Sequence, residues 1–233
     1  METSNLSRPA PVLKRFAGIL LNPRQTFEEI VKHPNWGLAL FIITLINVVC
    51  TLITLPKLKV FMLETLQQEM QTNPALNTPE ALHIVETTSL IGAVIGALFI
   101  PAITCLVLAL LFKLFNAFSG DKQPLRRFFT ISVYAYIPVL FTLLIQTIVV
   151  SFSAHPDFSA APSSLYLFFP AGASGFAANL AKQVDIFFLW SLFLAAMGSS
   201  ILIRKPLRST TIYIFILWAA YALFIASRTP ALT

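Results

Sequence analysis

Five long apolar blocks separated by polar stretches set the pattern of this chain. They cover residues 36–55, 87–112, 128–152, 184–203 and 210–226, and the first has no charged residue. A helix rises about 1.5 Å per residue, so some twenty residues cross a hydrocarbon layer of about 30 Å. The blocks predict an all-α fold, a bundle of five transmembrane helices, with residues 36–228 as one membrane domain. Pro101 in the second span and Pro138 in the third each remove a helical hydrogen bond, which predicts two bent helices in succession.

The polar stretches carry weaker periodicity. Residues 1–35 read as a cytoplasmic amphipathic segment whose part from 13 to 32 forms two short helices broken at Asn22-Pro23. Asn22 suits a cap and Pro23 the first helical position. Leu13, Phe16, Ile19 and Leu20 share one face of the first helix; Phe27, Ile30 and Val31 share one face of the second, with Arg15, Arg24 and Lys32 flanking. Such a segment either lies in the membrane interface or packs on the cytoplasmic end of the bundle. Residues 56–86 read as a polar connection holding a short amphipathic helix (Phe61, Leu63, Leu66, Met70) and a helix start at Asn77-Thr78-Pro79-Glu80. Residues 153–183 form the longest connection. Its apolar pieces, 165–169 and 176–180, predict a segment folded back on the membrane surface or partly re-entrant.

Composition strengthens this picture: 57% of residues are hydrophobic and only 11% charged, far outside the range of soluble domains. The net charge of +6 does not form one patch, so nucleic acid is excluded as a partner; the cations sit between apolar blocks and report orientation. One side of five spans holds Arg8, Lys14, Arg15, Arg24, Lys32, Lys113, Lys122, Arg126, Arg127, Arg204, Lys205 and Arg208; the other holds Lys57, Lys59, Lys182 and Arg228. This asymmetry predicts a cytoplasmic N-terminus and an outside C-terminus. Cys50 and Cys105 fall inside separate apolar runs at different depths, so a disulfide is not expected. Residues 1–12 show no apolar core of a signal peptide, which leaves targeting to the first span.

Candidate chemistry is sparse. Asp185 is the acidic residue at the start of the fourth apolar block, followed by Trp190 and Ser191. A carboxylate at the bilayer centre costs about 2.5–3.5 kcal/mol on insertion scales, so Asp185 near the outer end of its span serves as a cap or interfacial charge, or as an ion or proton site. Ser191, Ala195 and Ser199 form a small-residue face that matches Gly92 and Gly96 on the second span, a pattern for close helix packing. Tyr134, Tyr136 and Pro138 either line a polar cavity with the carbonyl that Pro138 frees, or mark a bent helix whose hydroxyls are satisfied by neighbours. Arg126, Arg127, Arg204, Lys205 and Arg208 make a cytoplasmic basic face. Residues 172–175 match the Gly-x-Ser-Gly of rhomboid-type intramembrane proteases, but such a serine needs a histidine base in the membrane. His33, His83 and His155 all lie in polar segments, which excludes it. Glu80, His83 and Glu86 share a helical face that reads as solvated in preference to metal-binding. No catalytic group, cofactor or metal is expected.

Four passages resemble the Yip domain family (Ypt-interacting proteins) in its bacterial branch. They are Leu21-Asn-Pro23-Arg-Gln-Thr-Phe27 with Asn35-Trp36; Phe128 through Tyr134-Ala-Tyr136-Ile-Pro138; Asp185-Ile-Phe187 through Trp190-Ser191 to Gly198; and residues 214–218 in the fifth span. The resemblance implies a five-helix inner-membrane protein with a cytoplasmic N-terminus. Eukaryotic relatives bind small Rab-type GTPases and take part in membrane traffic and shaping. The acidic Asp-Leu-Tyr-Gly-Pro signature of those relatives is missing ahead of the first span, so GTPase binding is not carried over. The expectation is a non-enzymatic membrane-organising or partner-binding protein, acting on membrane lipid or on a protein partner at the cytoplasmic face, with homo-oligomerisation left open. The alternative is a small transporter or channel with a cavity between spans two and three and Asp185 of span four.

Overall fold

The computed structural model of the chain describes residues 10–72, 79–118, 122–170 and 172–228. Among them nine α-helices and a short 3-10 turn carry the fold, and the only strand-like feature is an isolated bridge between Ser164 and Asp185. Five helical spans are long and apolar enough to cross a membrane, in the order the apolar blocks predict. Their outward faces carry Phe41, Leu45, Ile95, Phe99, Val107 and Ile148, exposed as befits lipid contact.

The N-terminal segment folds as α1 (Val12–Leu21) and α2 (Pro23–Lys32), with the break where Pro23 places it. Asn22 makes no side-chain cap; the Thr26 hydroxyl instead donates to the Asn22 carbonyl at 2.9 Å. Of the two placements open from sequence, the structure has α2 packed on the bundle, against α5 and α8. Ile19, Phe27 and Ile30 are fully buried in the same core as Phe128, Ile131 and Leu194. Arg15, expected to flank an apolar face, is inside: its guanidinium bonds Glu29 Oε1 at 3.1 and 3.2 Å and the His33 carbonyl at 3.1 Å.

The first span is longer than its apolar block. α3 (Gly37–Thr72) runs on through Pro56 without a break, where the sequence suggested a separate short helix. The extension is held by the later connection: Lys57 Nζ donates to the Ser153 carbonyl at 2.7 Å, Glu64 pairs with His155 at 3.3 Å, and Phe61 meets the Phe158 ring. α4 (Pro79–Ala117) starts at Pro79 and runs through Pro101, forming a long hairpin with α3. The third span divides into α5 (Leu125–Ala135) and α6 (Val139–Phe152) at Tyr136-Ile137-Pro138. Pro138 cannot donate to the Tyr134 carbonyl, but Ile137 N–H takes that acceptor at 3.3 Å. Bonds from Val139, Leu140 and Phe141 to the residue three before each carry the chain across the break.

The connection after α6 folds back. It forms the 3-10 turn Leu165–Phe168 and α7 (Phe176–Gln183), which packs on α9, before α8 (Ile186–Ile203) and α9 (Leu207–Arg228) complete the bundle. α8 carries Gly198 against α2 and α5; a Cβ there would lie 2.5 Å from Ile131 Cγ2 and 2.8 Å from Phe27 Cδ1. Close approach needs glycine at this point.

Candidate functional site

Asp185 is the N-cap of α8, accepting from the Phe188 N–H at 2.6 Å. The same carboxylate accepts from Thr142 Oγ1 at 3.1 Å and from the Ser163 hydroxyl, and the two hydroxyls are 3.2 Å from each other. It is 6% exposed. Thr142 stands ten residues short of Phe152, so this cluster lies about 15 Å inside the far end of α6, well below where α8's own first residue would suggest. The chain therefore leaves α6 and returns alongside it to the Thr142 level. A buried carboxyl group needs hydrogen-bond partners, and one backbone N–H and two hydroxyls supply them. The sequence does not single out Thr142 or Ser163: Thr142 is one of three threonines in its span, with Thr130 and Thr147, and Ser163 sits in a polar connection.

Around this cluster the other candidates separate. Tyr134 is fully buried, and its hydroxyl donates to the Asn35 carbonyl at 3.0 Å while Phe16 meets its ring edge-on at 6.0 Å. It pins the N-terminal segment to α5 and is not among the residues of the two cavities beside Tyr136. Tyr136 lines two. One, about 440 Å³, lies between α3, α4 and α6 and reaches Thr142 and Gln146; the other, about 600 Å³, lies between α4, α5, α8 and α9 and reaches Ser191. Trp190 is partly exposed on the bundle surface, apart from both.

Ser191, Ala195 and Ser199 are buried on α8, as a packing face requires. Gly92 and Gly96 are not its counterpart. A Cβ at Gly92 would meet nothing within 4 Å, and one at Gly96 only Ile100 of its own helix. Both glycines line the 440 Å³ cavity, so what they leave there is space and no helix crossing. Pro101 is buried within α4. The side chains of Glu80, His83 and Glu86 lie outside the described residues; among those described, no cluster of metal-ligating groups occurs.

The end of the bundle that carries α1 and α2 also carries the basic residues. Arg126 is exposed in the first turn of α5, and Arg127 bonds Gln123 at 3.0 Å. Arg204 and Lys205 in the turn between α8 and α9, and Arg208 in the first turn of α9, are exposed, and Arg204 caps α8 in the left-handed region (φ 55°). α1 turns a stripe of Leu13, Ala17 and Leu21 outward beside Lys14, with Leu13 71% and Leu21 78% exposed. On its opposite face Arg15, 2% exposed, holds it to α2 and stands over the Tyr134 ring. This rim thus offers an immobilised apolar helix beside a set of cations.

Five spanning helices with lipid-facing apolar surfaces define an integral membrane protein. The family model of the Yip1 domain matches residues 17–228, nearly the whole chain, and the chain belongs to that family. No curated protein and no solved structure matches it. Yip1 is not a known enzyme family.

Proposed function

We propose that this protein organises one leaflet of its membrane without catalysing a reaction, through the rim formed by α1, the start of α5 and the α8–α9 turn. The observation that carries the reading is the outward stripe of Leu13, Ala17 and Leu21 on a helix fixed from behind by Arg15 and Glu29. Such a helix inserts its apolar side to the level of the headgroup and acyl boundary. Arg126, Arg204, Lys205 and Arg208 stand at the same end, and each cation near an anionic surface contributes about 1 kcal/mol of attraction. By the excess of Lys and Arg at this end, the rim faces the cytoplasm, the C-terminus lies outside, and the membrane is the bacterial inner membrane. Membrane lipid is the first partner; a protein partner docks on the same face, and self-association is a further mode of organisation.

The test is reconstitution into vesicles rich in phosphatidylglycerol at fixed protein-to-lipid ratio, with vesicle diameter read by electron cryomicroscopy. The wild-type chain shifts the distribution to smaller diameters. Leu13→Ser with Leu21→Ser, or Arg126→Gln with Arg204→Gln and Lys205→Gln, returns it to that of protein-free vesicles. Identical distributions for all samples would remove the proposal.

A transporter or channel built on Asp185 is the second reading. The cavities beside Tyr136 motivate it, but no charged residue lines either one, and the Asp185 oxygens already accept from three donors. An ion pathway needs such groups free to exchange partners.

A further inference from the structure

The cavity of about 440 Å³ between α3, α4 and α6 has no role in the rim just described. Its size lies within the roughly 300–1,000 Å³ of small-molecule sites. Two bonds hold α3 parallel to the third span beside it: Tyr134 donates to the Asn35 carbonyl at 3.0 Å, and Lys57 to the Ser153 carbonyl at 2.7 Å. Between these ties Asn47 and Thr51 of α3 come level with Thr142 and Gln146 of α6, and all four line the cavity. Thr54 and Thr147 in the same walls bond back to their own helices, at 3.0 and 2.8 Å. Their neighbours do not. Among the described residues neither the Gln146 amide nor the Thr51 hydroxyl has a partner, and the Asn47 amide donates to the Ile43 carbonyl at 2.9 Å but accepts nothing at Oδ1. Asn47, Thr51 and Gln146 are partly exposed and none of these atoms is sealed in, so a molecule in the cavity can reach them. At membrane depth such groups call for a partner. The α4 wall, with Gly92, Ala93, Gly96, Ala97 and Ile100, is apolar, and no Lys, Arg, Asp, Glu or His lines the space.

We infer that this cavity binds a small uncharged polyol, its hydroxyls on Asn47, Thr51 and Gln146 and its carbon skeleton against α4. A hydroxyl donates and accepts through one atom, which suits a wall that offers the Asn47 Oδ1 acceptor, the Gln146 amide and the Thr51 hydroxyl together. Asn47 and Thr51 are one turn apart, about 6 Å along the helix, a span matched by hydroxyls on a chain or ring of about four to six carbons. A phosphate or carboxylate would be desolvated here without a counter-charge, and a cation would find no free carboxylate. Water alone pairs with the α3 and α6 walls and gains nothing from α4. Phe158, whose ring rests on Phe61, borders the cavity at the end away from the rim, and the polyol enters past it.

The full chain with Ala93→Cys in a Cys50→Ala, Cys105→Ala background is reconstituted in phosphatidylethanolamine and phosphatidylglycerol vesicles. The rate at which a small uncharged methanethiosulfonate modifies position 93 is measured with and without millimolar glycerol, xylitol, glucose or myo-inositol; the thiol reacts as thiolate, and so only where water reaches it. At least one polyol slows the reaction several-fold, whereas glycerol phosphate and glucose 6-phosphate do not. Gln146→Leu weakens that protection about five-fold, the equivalent of one net hydrogen bond. Gly92→Leu, at a position where an added Cβ meets nothing within 4 Å, fills the space and abolishes protection without disturbing a hydrogen bond. Glucosyl diacylglycerol in the vesicle is the last arm: protection by it and not by free glucose makes the polyol a lipid headgroup, and the reverse makes it a solute. Modification at one rate whatever is added would mean water only, and no modification would mean a space closed by hydrocarbon; either overturns the inference.

Discussion

Replacing Asp185 by alanine removes one residue that closes three structures at once. The carboxylate caps α8 through the Phe188 N–H, takes a bond from Thr142 of α6, and takes another from Ser163 of the folded-back connection. Loss of an N-cap costs about 1 kcal/mol, and each hydrogen bond to a buried charged acceptor contributes about 1.5–3 kcal/mol. Two effects offset that total. The carboxylate's own desolvation disappears, and Thr142 and Ser163, already 3.2 Å apart, can bond each other. What is left unpaired is the Phe188 N–H and the space of the side chain, so the net loss is about 2–4 kcal/mol. Asp185→Asn keeps shape and an acceptor for the Phe188 N–H, and its amide group can donate to a hydroxyl; about 1 kcal/mol is expected. Both variants are compared in detergent by thermal unfolding and by proteolysis of residues 153–163, which the alanine variant releases from the bundle. Wild-type stability and wild-type protection in Asp185→Ala would refute the reasoning, since a free ion site would lose a ligand and keep its fold.

Further expectations concern packing and the rim. Gly198→Ala drives a methyl into Ile131 and Phe27, both almost wholly buried, and lowers stability by about 1–3 kcal/mol in the same unfolding assay; an unchanged melt would contradict the close contact of α2 and α8. Arg15→Ala strips Glu29 of its ion pair and frees the His33 carbonyl, costing about 1–3 kcal/mol, less than a fully buried pair because Glu29 is 35% exposed. Trypsin then cuts faster at Lys14 and Arg24; an unchanged rate would mean that α1 is not held this way. Arg204→Gly relieves a left-handed backbone and raises stability by about 1 kcal/mol, where a loss would show that the Arg204 side chain has a structural role.

What was legible in the sequence divides along physical lines. Span length and apolar content report directly on the membrane, so five helices, their order and the Pro138 break were visible beforehand. The end of α3 was not: residues 57–72 are polar because they leave the apolar layer, and their helix is sustained by contacts with residues 153–158, nearly a hundred positions away. The same holds for Arg15, whose charge suggests a surface until Glu29 and His33 are folded against it. Small residues on α8 and α4 look alike in the sequence and differ in the fold: Ser191, Ala195 and Ser199 are buried, whereas Gly92 and Gly96 border open space. Gly92 and Gly96 lack side chains as a crossing would require, but only the neighbouring helix decides whether that space is filled. Asp185 was recognised as the singular residue of its span. Its neighbours were not, because a fold-back connection brings the start of α8 beside Thr142 and Ser163.

The account rests on where α1 sits, and that can be measured directly. Single spin labels at Leu13, Ala17 and Leu21, and for comparison at Arg24 and Lys32, are introduced in a Cys50→Ala, Cys105→Ala background and reconstituted in anionic vesicles. Relaxation by oxygen and by a water-soluble nickel complex then reports the environment of each. The account predicts oxygen-dominated relaxation at positions 13, 17 and 21 and nickel-dominated relaxation at 24 and 32. Nickel-dominated relaxation along both faces of α1 would place the helix in water and contradict a rim that works on lipid.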